Sequence, residues 1–355
     1  MSRKIVHVVG TGTIGEPLIG LLCDFKEDLG INEVTFHKNT PLTTDRSKVR
    51  SLINRGARLT THEKNFDGFI ALGLKPEYNT EESIDRANVV IDCTPKGFGH
   101  ENKKNYYEKY LHNTQGFVAQ GSEFGFGKMY ARGINDSALD NKKDRFIQVV
   151  SCNTHNLSTL VNTIALEDGE DNLLEGRFNL IRRSNDVSQS SGFVPSPKVG
   201  IHSDEKYGTH HARDAALLFK TMGINLNLFS SAMIVNTQYM HILQFYLKVK
   251  EPTTIQKLIT KFDKNDCIAT TDKVNANAVF SFGRDHGHFG RILNQTVLSI
   301  PSLNVRNGNE ITGFCFTPQD GNSLLSSIAI TEWFLYNHSY EDKIQCLKPY
   351  FFDEV

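Results

Sequence analysis

No two cysteines of this chain stand in a CxxC arrangement; the six (Cys23, Cys93, Cys152, Cys267, Cys315, Cys346) are scattered. Scatter of that kind speaks against a disulfide framework and against a thiolate zinc site, and fits reduced thiols in the cytoplasm. Long apolar runs are also missing, since none approaches the roughly 20 residues that a bilayer-spanning helix needs. Charge of one sign is missing too. A net charge of −1 over 355 residues leaves no broad pull on nucleic acid or on an anionic membrane. Met1-Ser2-Arg3-Lys4 runs straight into a strand-like stretch with no apolar signal region, so a cytoplasmic protein is expected. What remains is a hydrophobic fraction of 39% and a charged fraction of 22%, as in soluble globular proteins. The length suggests two domains.

The N-terminal half alternates strand-like and helix-like segments. Lys4 to Val9 reads as a buried strand, Gly10-Thr11-Gly12-Thr13-Ile14-Gly15 follows at once, and an apolar helix begins near Pro17. A GxGxxG between strand and helix permits a tight turn, close approach of a pyrophosphate and close helix–strand packing. The helix N-terminus favours the phosphates. The next strand, from Glu33, ends in His37-Lys38-Asn39-Thr40, where an NAD-selective fold usually places an acid for the ribose 2′-OH. Lys38 reads either as a cation for a 2′-phosphate, which favours NADP over NAD, or as a solvated surface lysine. Strand-like runs recur at Asn88–Asp92, Phe117–Ala119 and Phe146–Val150, with a short helix expected over Lys104–Tyr110. This alternation predicts a Rossmann-type parallel sheet. Thr94, Pro95, Gly121 and Cys152 fall at carboxyl ends of its strands, where ligands of such sheets bind.

Ser151-Cys152-Asn153-Thr154 opens a helical segment right after a strand. A cysteine there sits near backbone N–H groups and the positive end of the helix dipole, which favour a thiolate and can hold an oxyanion. The pattern changes after Leu166. Strand-like runs at Arg177–Arg182, Leu226–Val235, Gln244–Val249 and Thr296–Val305 predict an α+β domain with a mainly antiparallel sheet. The expected boundaries are 1–150 for the nucleotide domain, completed by a C-terminal helix within about 320–355, and 151–319 for the catalytic domain. Arg182-Arg183 at a strand end and the pair His210-His211 suit an anion such as a phosphate ester. The histidines are also a partial metal set, but no third ligand stands at matching spacing, so no metal is expected. His241 reads as a general base or as a satisfied core histidine.

Taken in order, the glycine turn, Asp92-Cys93-Thr94-Pro95-Lys96, Gln120-Gly121, Ser151-Cys152-Asn153-Thr154, Arg182-Arg183, His210-His211 with Asp214, Met240-His241, Gly283-Arg284, Gly290-Arg291 and Pro318-Gln319-Asp320 resemble the archaeal-type (class II) phosphorylating glyceraldehyde-3-phosphate dehydrogenase family. The resemblance spans almost the whole chain. It implies that Cys152 is the nucleophile of a thiohemiacetal and thioester, and that His241 is its base. Ser151 and Asn153 are implied as substrate contacts, with Arg182, His210 and His211 binding the sugar phosphate or inorganic phosphate. Gly10, Gly12, Thr13, Ile14, Gly15, Gly121, Arg183 and Gln319 are implied as contacts of NADP or NAD, and Lys38 of the 2′-phosphate. A homotetramer is implied as well.

The chain departs from the family at Ala212-Arg213, in place of Gly-Pro, and in the loop Ser184–Lys198. It carries an insertion around Arg55–Phe69. His155-Asn156 replace a small Thr-Gly pair, which puts larger side chains next to the expected nucleophile. Two other readings stay open. One is a different thioester-forming semialdehyde dehydrogenase, of the aspartate-semialdehyde or N-acetyl-glutamyl-phosphate type, which requires a pocket for an amino-acid carboxylate. The other is a catalytically silent nucleotide-binding protein on the same scaffold.

Overall fold

The computed structural model describes residues 3–166, 172–186, 189, 191–318 and 320–355. The chain divides into two compact units. One comprises Met1–Met129, Leu139–Val149 and Leu324–Lys348; the other comprises Tyr130–Ala138, Val150–Ser323 and Pro349–Val355.

The first unit is built on an eight-stranded sheet. Its strands are β1 (Ile5–Val9), β2 (Glu33–His37), β3 (Arg58–Thr61), β4 (Tyr78–Asn79), β5 (Val89–Asp92), β6 (Gly116–Ala119), β7 (Lys128–Tyr130) and β8 (Phe146–Val149), in the order β4-β3-β2-β1-β5-β6-β8-β7. Every pairing from β4 across to β8 is parallel. β1, β2 and β5 are buried along their whole lengths; β1 and β5 read as near-continuous apolar runs, whereas β2 buries Glu33, Thr35 and His37 as well. The connecting helices are α1 (Gly15–Asp24), α2 (Arg46–Asn54), α3 (Phe66–Ala71), α4 (Thr80–Arg86) and α5 (Phe98–Asn105). The Arg55–Phe69 insertion supplies β3 and the entry to α3.

The helix expected over Lys104–Tyr110 is placed differently. α5 begins at Phe98 and stops at Tyr106, whose φ of −126° and ψ of −62° leave the helix, and a 3₁₀ turn spans Tyr107–Tyr110. The reason lies far along the chain. Glu123 accepts the backbone N–H groups of Gly97 (2.5 Å) and His100 (3.1 Å), capping α5 from outside.

The second unit carries a seven-stranded sheet. Its strands are β9 (Leu173–Arg182), β10 (Lys198–Val199), β11 (Leu228–Ile234), β12 (His241–Val249), β13 (Ile268–Thr271), β14 (Thr296–Arg306) and β15 (Glu310–Thr317), in the order β10-β11-β9-β12-β15-β14-β13. β11–β9 and β13–β14 pair in parallel. The other neighbours pair antiparallel, so the sheet is mainly antiparallel. Buried and half-buried residues alternate strictly along β12, as in a sheet with one packed face. The helices are α6 (Cys152–Val161), α7 (His210–Lys220), α8 (Ile255–Phe262) and α9 (Ala276–His286). The last long helix, α10 (Gly321–Tyr336), belongs to the first unit from Leu324 onward, as does α11 (Tyr340–Ile344). Phe334 of α10 lies so close to Gly116 of β6 that a Cβ there would sit 2.2 Å from its ring. No helix among the described residues is long and apolar enough to cross a membrane.

Candidate active site

The glycine turn lies where the strand order reverses, between β1 and its neighbours β2 and β5. Gly10 has a φ of +100°, and a side chain there would meet the Cys93 carbonyl oxygen at 3.0 Å. A Cβ on Gly15 would lie 2.2 Å from the carbonyl oxygen of Gly10, so α1 packs directly on the turn. Gly12 is the opposite case: a Cβ would meet nothing within 4 Å, which leaves open space above the backbone. Ile14 precedes α1, and no side chain caps this helix. The N-terminus of α1 thus begins beside that space with no cap from the Ile14 side chain, which fits a pyrophosphate. Thr13 and Ile14 form the rim of the turn, and Gly121 is half-buried just past β6. At the end of β2, the Lys38 ammonium lies 2.5 Å from Asp45, and its side chain is only 17% exposed. It is thus held in an ion pair rather than extended into solvent.

In the second unit, Ser151 is the N-cap of α6, and its Oγ accepts the Thr154 N–H at 3.3 Å. That makes Cys152 the first helical residue. The thiol is half-buried. Burial pushes its pKa up to about 12; the Asp320 carboxylate adds to the rise, while Arg183 and Arg182 oppose it. The free protein accordingly holds a thiol rather than the thiolate expected from the helix dipole alone, because desolvation outweighs the N-terminal field.

Arg182 ends β9 half-buried, with its Nε buried and without a hydrogen-bond partner. Its charge acts on Cys152, on His211 and on His241. Arg183 is committed elsewhere. Its guanidinium bonds Asp186 (2.5 Å) and the Tyr239 carbonyl (3.3 Å), and its backbone N–H donates to His241 Nδ1 at 3.0 Å. Burial, then Arg183 and Arg182, hold the His241 imidazole well below its usual pKa, so the ring is neutral. Burial first, and then His210, Arg182 and His241, do the same to His211. The rings of His210 and His211, opening α7, lie 3.9 Å apart. His211 is buried against Thr209 (3.0 Å), and Thr209 reaches Ser230 at 2.6 Å. Next to them, Arg213 folds onto its neighbour Asp214 at 2.8 Å.

Asn153 turns its side-chain oxygen to Thr317, which donates at 3.1 Å. The larger residues expected beside the nucleophile are fully buried instead. The His155 ring bonds the Ser151 carbonyl at 3.0 Å, and Asn156 donates to Thr317 at 2.7 Å and accepts from Cys315 at 3.2 Å. Three and four residues on from Cys152, both share its face of α6, with their polar atoms bonded to Ser151, Thr317 and Cys315. Gln319 lies outside the described residues.

Asp320 received no role from the sequence although its motif was singled out. It has a φ of +66°, lies 3.8 Å from Arg291, and burial lifts its carboxyl to about 6. Asn322, two residues on, donates to the Cys152 carbonyl at 2.9 Å. The signal available in the sequence was an acidic residue immediately before the helix Gly321–Tyr336.

The arrangement is that of a two-unit protein, with a parallel sheet shaped for a dinucleotide in one unit and a cysteine among arginines, histidines and a buried acid in the other. No family model matches the chain. Curated relatives over most of its length are archaeal glyceraldehyde-3-phosphate dehydrogenases. That of Pyrobaculum islandicum is 24% identical over 319 residues, covering 86% of this chain and 85% of the relative. That of Sulfolobus acidocaldarius is 25% identical over 321 residues, covering 88% and 86%. That of Methanobacterium formicicum is 28% identical over 272 residues, covering 74% and 72%.

Proposed function

We propose that this protein is a phosphorylating glyceraldehyde-3-phosphate dehydrogenase using NADP or NAD. The observation that carries the reading is Arg182, a cation whose charge reaches Cys152, His211 and His241 together. A phosphate-bearing aldehyde needs that combination: an anion site, a nucleophile and a polar group for the carbonyl oxygen.

In this reading Asp320, the carboxylate whose charge acts most strongly on the thiol, takes the Cys152 proton. The sulfur pair adds to the aldehyde carbon, and the carbonyl π pair moves to oxygen. His241 meets that oxyanion with Nε2–H, because its Nδ1 already accepts the Arg183 N–H. This replaces the base role expected from sequence. First-turn N–H groups of α6 and the Asn153 amide assist, while Arg182, His210 and His211 hold the phosphate. The carbonyl re-forms as a hydride leaves, and Cys152 carries a thioester. When bound, the oxidised nicotinamide supplies the hydride acceptor; Gly10, Gly12, Thr13, Ile14, Gly15, Lys38 and Gly121 would hold the dinucleotide, with Arg183 and Gln319 as further contacts. Inorganic phosphate then adds to the thioester carbon, the C–S bond breaks, and 1,3-bisphosphoglycerate leaves. The leaving thiolate takes its proton back from Asp320, and the proton of the attacking hydrogen phosphate passes to solvent.

The test is formation of NADPH or NADH from glyceraldehyde 3-phosphate with and without inorganic phosphate. Phosphate-dependent turnover supports the reading. Phosphate-independent oxidation makes the enzyme non-phosphorylating, and turnover confined to amino-acid semialdehydes moves it to the aspartate-semialdehyde type. The silent reading is favoured by one observation, the thiol pushed up to about 12; binding of dinucleotide without turnover of any aldehyde would establish it. We further assign the protein to the cytoplasm and to a homotetramer. The partly exposed face of the second sheet, with Leu174 45% and Phe314 42% exposed, supports an interface between copies.

A further inference from the structure

The segment after β2 carries an ion-pair chain that the glycine turn does not require. Asp45, just before α2, bridges two ammonium groups: Lys38 at 2.5 Å and Lys48 at 3.4 Å. Lys48 also donates to the Thr11 carbonyl at 3.3 Å, inside the glycine turn, and stands 4.0 Å from Glu16 of α1. Both cations are thus fixed relative to the turn. All three side chains are largely shielded, with 17% (Lys38), 29% (Lys48) and 21% (Asp45) of their surfaces exposed, so water screens them less than ordinary surface pairs. The hydrogen bond from Lys38 is the leading cause that holds the Asp45 carboxyl below its usual pKa, so it is ionised at neutral pH. His37, also at this strand end, is pushed down to about 3 by burial and then by His62, and adds no charge.

A carboxylate between two ammoniums is the arrangement that a phosphate monoester would occupy. We propose that Lys48 is a second cation for the ribose 2′-phosphate of NADP and that Asp45 is a built-in competitor for it, so that this triad sets the choice between the two dinucleotides. The inference rests on the dinucleotide reading above. With NADP, the 2′-phosphate takes the place of Asp45 between Lys38 and Lys48, since a phosphate dianion beside the carboxylate would repel it. With NAD, Asp45 keeps its lysines and accepts the ribose 2′-OH, the task that an acid at the strand end performs in NAD-selective sheets. One chain thereby accommodates both cofactors. Lys38 alone is a single cation already neutralised by Asp45; Lys48 is the second ammonium, with Glu16 farther from it than Asp45 is.

The test is calorimetric binding of NADP and of NAD, in the absence of aldehyde, to the full chain and its variants. Lys48→Met is expected to weaken NADP by about tenfold while leaving NAD within about twofold. Lys48→Arg is expected to keep most of the NADP affinity. Asp45→Asn is expected to tighten NADP several-fold and to weaken NAD. If Lys48→Met weakens both dinucleotides equally, Lys48 only supports the turn through Thr11, and the proposal is overturned. An unchanged ratio of the two affinities in Asp45→Asn overturns it as well, and this variant decides the matter if Lys48→Met does not fold. If the unaltered protein binds neither dinucleotide, the dinucleotide reading falls first and this inference with it; binding by the parent with unmoved variants sinks the inference alone.

Discussion

The backbone N–H of Arg183 donates to Nδ1 of His241 across 3.0 Å. Burial, with Arg183 and Arg182 adding to it, keeps this imidazole neutral. A neutral ring whose Nδ1 accepts carries its one proton on Nε2. Its remaining nitrogen is a donor, which is the basis for assigning it to the oxyanion.

If His241 donates a hydrogen bond, an amide replaces it in part. His241→Ala is expected to lose about 10²- to 10³-fold in kcat. His241→Gln should recover a measurable share of that loss. Because the imidazole already lies well below its usual pKa, the acid limb of the kcat/KM profile should stay in place in the glutamine variant. Equal inactivity of both variants, with the acid limb abolished, would restore the base role.

Asp320 gives a paired prediction with opposite signs. Its carboxyl, lifted to about 6 by burial, is ionised above that pH, so kcat/KM should rise through about pH 6. Asp320→Asn should remove that limb and slow turnover, and asparagine tolerates the φ of +66°. Removing the charge that helps raise the Cys152 pKa should at the same time speed alkylation by iodoacetamide, which attacks only the thiolate. Slower alkylation in the variant would rule out this electrostatic coupling.

Cys152→Ser should abolish aldehyde oxidation while leaving NADP binding unchanged, since the glycine turn belongs to the other unit. Stopped assays with glyceraldehyde 3-phosphate and a separate binding titration measure the two properties. Turnover retained by the serine variant would remove the thioester from the mechanism.

Stability has its own pH dependence, at Glu332 of α10. Both carboxyl oxygens are buried without a hydrogen-bond partner. Burial raises the group from 4.5 to about 8, against the opposing pull of Lys343 and Lys4. A folded pKa above the unfolded one means stability that is full below about 4.5 and is lost as pH rises through about 8. Each unit is worth about 1.4 kcal/mol, so the loss is on the order of a few kcal/mol. Glu332→Gln should melt higher than the parent at about pH 9 and nearly level with it at about pH 5, as read by calorimetry. A parent protein whose melting temperature is flat over this range would contradict the assignment.

Much of the first unit is legible from local pattern. β1 and β5 are buried throughout, so their apolar runs are unmistakable, and the glycines between β1 and α1 have no other economical explanation than a backbone that approaches something closely. α5 was misplaced because its cap, Glu123, is remote in sequence. The partners of His155 and Asn156 were not legible either: both are fully buried one turn from Cys152, and Asn156 bonds Thr317 and Cys315, which are remote in sequence. Asp45 and Lys48 are not legible as a site for a similar reason: their spacing to Lys38 has no periodic meaning, and only the loop after β2 brings the three together.

The sequence by itself determined the two sheet types, the glycine turn, the cysteine that starts a helix and the arginines and histidines around it, because periodicity and turn chemistry are local properties of the chain. Tertiary structure alone decided the ionisation of these groups. Burial keeps Cys152 a thiol, holds His241 neutral and lifts Asp320. One backbone N–H, that of Arg183, occupies Nδ1 of His241, on which the proposed donor role rests. Desolvation and long-range hydrogen bonds depend on what the folded chain places around a group, and no residue spacing encodes that directly.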